Sequence, residues 1–284
     1  MNRQSILCPK CRKLISVDEP RCPYCGTPRP GAWWKNKFNI RREDFPIRTI
    51  IFINVGMYII SLLFNSRNPE LSLNPLTVLS PDDRSLLLLG ATGTIPILQM
   101  ERWWTLITAN YLHGNLLHIF FNMVAFRQLA SFVLREYGPH RFVVLYTLSG
   151  ITGFWISYLA AVPLTIGASA AVCGLIGASL YYGKSRGGVY GQAIYKQVGG
   201  WAIGIFAFGF LLSGISNWAN VPSINNWAHG GGIAAGVILA FLLGYRERKQ
   251  EMFWHRYLAF GCVLISVVAL AWAIAIGAYF RFAG

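Results

Sequence analysis

Beyond residue 46 the chain alternates long apolar stretches with short polar breaks, the pattern of membrane-crossing helices. The stretches predict seven spans, near residues 47–64, 112–134, 142–162, 165–182, 198–215, 227–245 and 257–280, several of them rich in glycine. Span two holds Arg127, close enough to an end for its long side chain to snorkel. Residues 65–111 make the one long loop of this part, and its Trp103–Trp104 pair suits a segment lying at the membrane interface. Upstream the pattern changes to a short cysteine-bearing module over 1–30 and a basic linker over 31–46 with Trp33 and Trp34. The predicted fold class is an all-α polytopic membrane protein. A six-span core covers 47–245, and 246–284 adds a cytosolic loop and a C-terminal seventh transmembrane helix. Arg3, Lys10, Arg12 and Lys13 interrupt any apolar run at the front, so no signal peptide is expected there.

Composition narrows the class. Apolar residues make up 54% of the chain and charged residues 13%, where a soluble globule carries about a quarter. That is too little polar material to coat a soluble surface. A secreted disulfide scaffold is also excluded, because four of the six cysteines lie within the first 25 residues. The formal charge of +14 would raise nucleic acid as a partner only if the basic residues formed one patch. They sort by membrane side instead. With the N-terminus cytosolic and the C-terminus outside, only Arg67, Arg84, Arg102 and Arg281 of the 25 Lys and Arg residues face outward. The positive-inside rule selects that orientation in the cell (cytoplasmic) membrane. The expected surroundings are a lipid bilayer, with no nucleic acid.

Cys8-Pro-Lys-Cys11 and Cys22-Pro-Tyr-Cys25 are two C-x2-C knuckles ten residues apart. Each can offer two thiolates from one tight turn, the pattern of tetrahedral zinc. A module this short cannot build a core of its own, so metal binding would supply its folding free energy. Two disulfides would need an oxidising compartment, against the cytosolic placement, and a redox pair would need a βαβ unit for which there is no room. Because Cys8, Cys11, Cys22 and Cys25 fill all four positions, the zinc is expected to be structural. No cofactor is expected for catalysis.

Polar side chains inside spans are costly, and His118, Asn122, Ser169 and His229 stand out, with His113 just upstream. Span four runs outside to inside, and Lys184 follows Ser169 by fifteen residues, which sets Ser169 about 22 Å above the cytosolic edge. Span six runs the same way, and Arg246 follows His229 by seventeen residues, or about 25 Å. In a core about 30 Å thick both lie in the outer leaflet at similar depth. Gly167, Ala171, Gly174 and Ala178 form a stripe of small residues on span four, as do Ala228, Gly232, Ala235 and Gly236 on span six. Such stripes let backbones approach closely in lipid.

A serine hydroxyl becomes a useful nucleophile beside a base, and histidine supplies one. No carboxylate lies between Glu136 and Glu247, so the expected arrangement is a dyad of Ser169 and His229 rather than a triad. His118 and Asn122, spaced i and i+4 on one helix face, could donate N–H groups to an oxyanion, with the Ser169 backbone N–H as a further donor. Each residue also has a plainer reading. A helical serine usually bonds back to a carbonyl one turn earlier. A histidine can bridge helices or relay protons, Asn122 can serve packing, and His113 can sit at the interface. Cys173 and Cys262 read as buried thiols.

These residues resemble the rhomboid family of intramembrane serine proteases. The matching pieces are Glu101-Arg-Trp-Trp-Thr105, His113-Gly-Asn-Leu-Leu-His118-Ile-Phe-Phe-Asn122, Gly167-Ala-Ser169-Ala and Ala228-His229-Gly-Gly-Gly232-Ile-Ala-Ala-Gly236, and the likeness spans roughly 47–245. The resemblance implies a six-helix rhomboid-like core with Ser169 and His229 as catalytic dyad, His118 and Asn122 in the oxyanion hole, and an L1-type loop at 65–111 lying partly in the outer leaflet. It also implies transmembrane protein substrates, cut within or next to a membrane segment. The zinc-ribbon-like front and the seventh span resemble accessory elements of some members. Three positions depart from the family pattern. Ala170 follows the serine where glycine is usual, Thr105 follows Trp104 where arginine is usual with Arg102 shifted upstream, and Cys173 replaces a frequent aromatic. Two other readings stay open. One is a catalytically inactive rhomboid-like protein that binds client transmembrane helices. The other is a transporter using the histidines, against which stand the lack of an internal repeat and of an intramembrane carboxylate.

Overall fold

A computed structural model of the chain describes residues 5–8, 10–31, 44–65, 78–219 and 224–282, with the side chains of 215–219 left aside. The chain separates into two compact units, Met1–Phe45 and Pro46–Gly284.

In the first unit β1 (Ser5–Leu7) pairs antiparallel with β2 (Leu14–Ser16), in the register Ser5↔Ser16, Ile6↔Ile15 and Leu7↔Leu14. The two-residue period of a strand turns Ile6 and Ile15 to one face, where they pack on the cysteines, and Leu7 and Leu14 to the other, where they are exposed. The two knuckles share one backbone pattern. Arg12 N donates to Cys8 O and Gly26 N to Cys22 O, both at 2.9 Å. Cys8 N donates to Lys13 O and Cys22 N to Thr27 O, again at 2.9 Å. Arg12 and Gly26, each four residues after the first cysteine of its knuckle, both have positive φ.

The second unit is a bundle of long helices: α1 (Phe45–Leu63), α2 (Leu116–Tyr137), α3 (Pro139–Leu159), α4 (Ser169–Arg186), α5 (Gly188–Ala219), α6 (Asn226–Leu243) and α7 (Phe253–Phe282). Among the described residues six helices are long and apolar enough to cross a membrane, all but α4. The reason is position. α4 has buried residues along most of its length, from Ala170 to Gly183, so it faces protein rather than lipid and can be built of Gly, Ala and Ser. The order matches the seven predicted spans, but starts differ. The helices at Gly188 and Phe253 begin ten and four residues before the predicted 198 and 257, that at Pro139 begins three before 142, and two helices begin late. α2 begins after His113 because Asn115, in extended backbone, caps it by accepting from His118 N at 2.7 Å. α4 begins at Ser169, not near 165, because Thr165 is held out of the helix by backbone pairing with Thr92, at 2.7 and 3.1 Å.

That pairing docks the long loop on the α3–α4 connection, extended by Thr94 N to Val162 O at 2.9 Å and Gly167 N to Ala109 O at 2.8 Å. Trp103 lies on Trp155 and Tyr158 of α3, at ring-centroid distances of 5.8 and 5.5 Å, and is half-exposed as the interfacial reading expects. At the opposite end of α3, Arg141 does not sit in solvent as the predicted start of span three implied. It is fully buried and donates to Lys249 O at 2.8 Å and Gln250 O at 2.7 Å. Glu251 accepts from His140 N at 3.2 Å and meets His140 Nδ1 at 3.1 Å, placing a carboxylate at a helix N-terminus. These contacts clasp the α6–α7 connection to α3.

α4 and α6 meet backbone to backbone. A Cβ at Gly232 would run into the Ala170 carbonyl, and one at Gly236 into the Gly174 carbonyl. No side chain fits between. Gly236→Val is therefore expected to cost about 3 kcal/mol or more of stability by forced overpacking. Gly261→Val on α7, where nothing lies within 4 Å, should cost far less. Thermal unfolding of the two variants in one detergent checks this. Equal losses would mean that the α4–α6 backbones are further apart.

Candidate active site

Ser169 is the first residue of α4, and its helix start is imposed by what precedes it. Gly167 has φ +124, and a Cβ there would lie 2.8 Å from His118 Nε2 and 3.6 Å from Ser169 Oγ, so a side chain would fill the space between these groups. Because no helical turn precedes Ser169, its hydroxyl has no carbonyl one turn earlier to bond. The plain reading of a helical serine does not apply. The first N–H groups of α4 likewise have no intrahelical acceptor and carry the positive end of the helix dipole.

His229 sits in the first turn of α6. Asn225 sets that turn: its side-chain oxygen accepts from Ala228 N at 3.1 Å, while Nδ2 donates to Ser157 Oγ at 2.6 Å and Thr165 Oγ1 at 3.0 Å. One amide thus ties the α6 start to α3 and to the segment leading into Ser169. The result is a Ser169 Oγ to His229 Nε2 distance of 2.8 Å, a hydrogen bond between the hydroxyl and the ring nitrogen. His229 is nearly buried, and its Nδ1 has no hydrogen-bond partner among the described residues. That bare nitrogen fits a pair without a carboxylate behind it.

The remaining expected residues divide. His118 Nδ1 accepts from Gly114 N at 3.3 Å, which puts the ring proton on Nε2, the nitrogen facing the Gly167–Ser169 space. Asn122 uses one of its two amide N–H groups on its own helix, donating to His118 O at 2.9 Å. His113 is not interfacial. It is fully buried, with neither ring nitrogen partnered among the described residues and its ring 5.1 Å from that of His118. Ala170 is fully buried with Ile97, Leu106, Phe154 and Ala228, and its methyl faces Gly153. Thr105 is buried and bonds Thr92 Oγ1 at 3.0 Å and Arg102 O at 2.6 Å, and Arg102 itself reaches Leu87 O at 3.1 Å. Arg102 and Thr105 together anchor the loop. Cys173 and Cys262 are buried as expected. Asn225 and Thr165 were missed by sequence reasoning, although an asparagine three residues ahead of Ala228 is a recognisable cap.

In the first unit Cys8, Cys11, Cys22 and Cys25 are free thiols whose Sγ atoms all lie within 4.8 Å of one another. The Cys8–Cys25 and Cys11–Cys22 separations are 3.6 Å. A tetrahedral ion with metal–sulfur bonds of about 2.3 Å needs sulfurs about 3.8 Å apart, so the four can hold one metal ion. A hydrogen bond with Thr27 Oγ1 holds the Cys25 thiol down at about 6, whereas for Cys11 a backbone hydrogen bond from Lys13 is outweighed by burial and the neighbouring thiols, which push it up to about 11.

The family model described as the Rhomboid domain matches residues 100–246, just over half of the chain, including all four candidate residues of the second unit. The rhomboid protease GluP of Bacillus subtilis is 32% identical over 198 residues, covering 70% of this chain and 35% of GluP. The putative rhomboid protease YdcA of the same organism is 33% identical over 151 residues, covering 52% of this chain and 71% of YdcA. The inactive RHOMBOID-like protein 8 of Arabidopsis thaliana is 30% identical over 185 residues, covering 64% of this chain and 50% of that protein. This chain thus spans about a third of GluP and half of the Arabidopsis protein. The six membrane-capable helices make it a multi-pass membrane protein. By its bundle, its matched residues and these relatives, the chain belongs to the rhomboid family.

Proposed function

We propose that the chain is an intramembrane serine endopeptidase that cleaves transmembrane segments of other membrane proteins. The observation that carries this reading is the 2.8 Å contact between Ser169 Oγ and His229 Nε2, with Ser169 as the first residue of its helix. As Oγ attacks the scissile carbonyl carbon, its proton passes to His229 Nε2. The tetrahedral oxyanion is assigned the Ser169 N–H, His118 Nε2–H and the second N–H of Asn122 as donors. His229 then gives its proton to the leaving amine nitrogen, leaving an acyl ester on Ser169. A water deprotonated by the same nitrogen hydrolyses the ester and restores the hydroxyl. The N-terminus is assigned to the cytosol and the C-terminus to the outside of the cell membrane, by the excess of Lys and Arg on one side. Zinc is assigned to the four thiols, where it would hold the two knuckles together and take no part in the chemistry at Ser169.

Ser169→Ala and His229→Ala should each abolish cleavage of a reporter transmembrane substrate by the purified protein in proteoliposomes. Asn122→Ala should slow it about a hundredfold, the usual effect of one oxyanion donor. Undiminished cleavage by either dyad variant would end the assignment. A wild type that retains a client helix on a column but never cuts it would favour the inactive binder; one relative is named inactive. Purified chain should carry one zinc per molecule by mass spectrometry of metals, and Cys8→Ser with Cys22→Ser should remove it. Metal-free wild-type protein with the hairpin still protected from proteolysis would contradict a zinc-dependent fold.

A further inference from the structure

The β1–β2 hairpin sorts its side chains in a way that metal binding does not require. Ile6 and Ile15 face the thiols, but Leu7 and Leu14 stand directly opposite each other on the outer face, 58% and 64% exposed. A cross-strand pair has Cβ atoms about 5 Å apart, so the two leucines form one apolar patch. The loop joining them carries Lys10, Arg12 and Lys13, all exposed. Lys13 Nζ lies 4.5 Å over the ring of Tyr24, itself 58% exposed. The module's acidic residues, Asp18 and Glu19, follow the other end of the ladder, past the Ser5↔Ser16 pair. A leucine pair, a tyrosine and three cations are gathered at one end, while both acids follow the other end, with Arg21 two residues beyond Glu19.

Each group at that end has a counterpart in a lipid headgroup region. Leucines enter the boundary with the acyl chains, tyrosine sits at headgroup level, and ammonium and guanidinium groups meet phosphate. Nucleic acid would satisfy the cations but leave the leucine pair without an apolar partner. We propose that this end of the module, Leu7, Leu14 and Tyr24 with Lys10, Arg12 and Lys13, docks on an anionic phospholipid surface. This goes beyond the proteolytic reading and does not depend on Ser169 or His229.

The test places a benzophenone amino acid at position 14 in the full, metal-loaded chain. The protein is reconstituted in nanodiscs of phosphatidylcholine with phosphatidylglycerol, or of phosphatidylcholine alone. Ultraviolet light should give lipid adducts at position 14, identified by mass, in the mixed discs and few in the neutral ones. Lys10→Glu with Arg12→Glu and Lys13→Glu should cut the adduct yield about tenfold or more, since each cation near such a surface is worth roughly fivefold. Unchanged metal content shows that this variant is folded, and the comparison of disc compositions needs no variant at all. The same probe at Phe260, exposed on α7, should label lipid in both discs. Equal labelling at position 14 in both discs would overturn the proposal. So would none at position 14 while position 260 is labelled, or, in native membranes, adducts to protein or nucleic acid instead.

Discussion

The fold of the second unit depends on two helices touching through their backbones. Ser169 and His229 lie in the first turns of α4 and α6, so their separation is inherited from the separation of the helices. A membrane supplies no hydrophobic force to press helices together, and packing must do it. Gly232 and Gly236 set the limit: each lies where a single added carbon would meet a carbonyl of α4. A hydrogen bond of 2.8 Å between two side chains is thus a consequence of missing side chains elsewhere.

Polar anchors then fix what close packing leaves free, which is where along the axis each helix begins. Thr92 pairs with Thr165, Gly167 donates to Ala109, and Asn225 bridges Ser157 and Thr165. All act just before the serine or the histidine, and all are backbone or amide contacts that would be costly to bury unpaired. The other end of α3 is treated alike, with two carbonyls of the α6–α7 connection accepting from Arg141 Nη2. A buried cation there ties the seventh helix to the core without a close ion pair of its own.

Much of this was legible in the residue order. Apolar run lengths mark all seven helices, because a span must satisfy every backbone group internally. The cysteine spacing anticipates the four gathered thiols, and the matching depths of Ser169 and His229 anticipate their meeting. What hydropathy could not show is tertiary. Residues 165–168 are as apolar as a helix end, yet Thr165 pairs with a loop more than seventy residues upstream, so the helix starts at the serine. His113 read as interfacial because it stands at the start of a predicted span, whereas the fold buries it fully with its ring against that of His118. Arg141 read as a cytosolic charge, whereas the carbonyls that solvate it belong to a segment over a hundred residues away.

The most direct measurement is site-resolved mass spectrometry of the purified chain after exposure to a fluorophosphonate in detergent. A single adduct on Ser169, absent from His229→Ala and diminished in Gly236→Val, is the expected result. A folded wild type left unmodified at Ser169, or one modified equally without the imidazole, would contradict a serine activated across the α4–α6 contact.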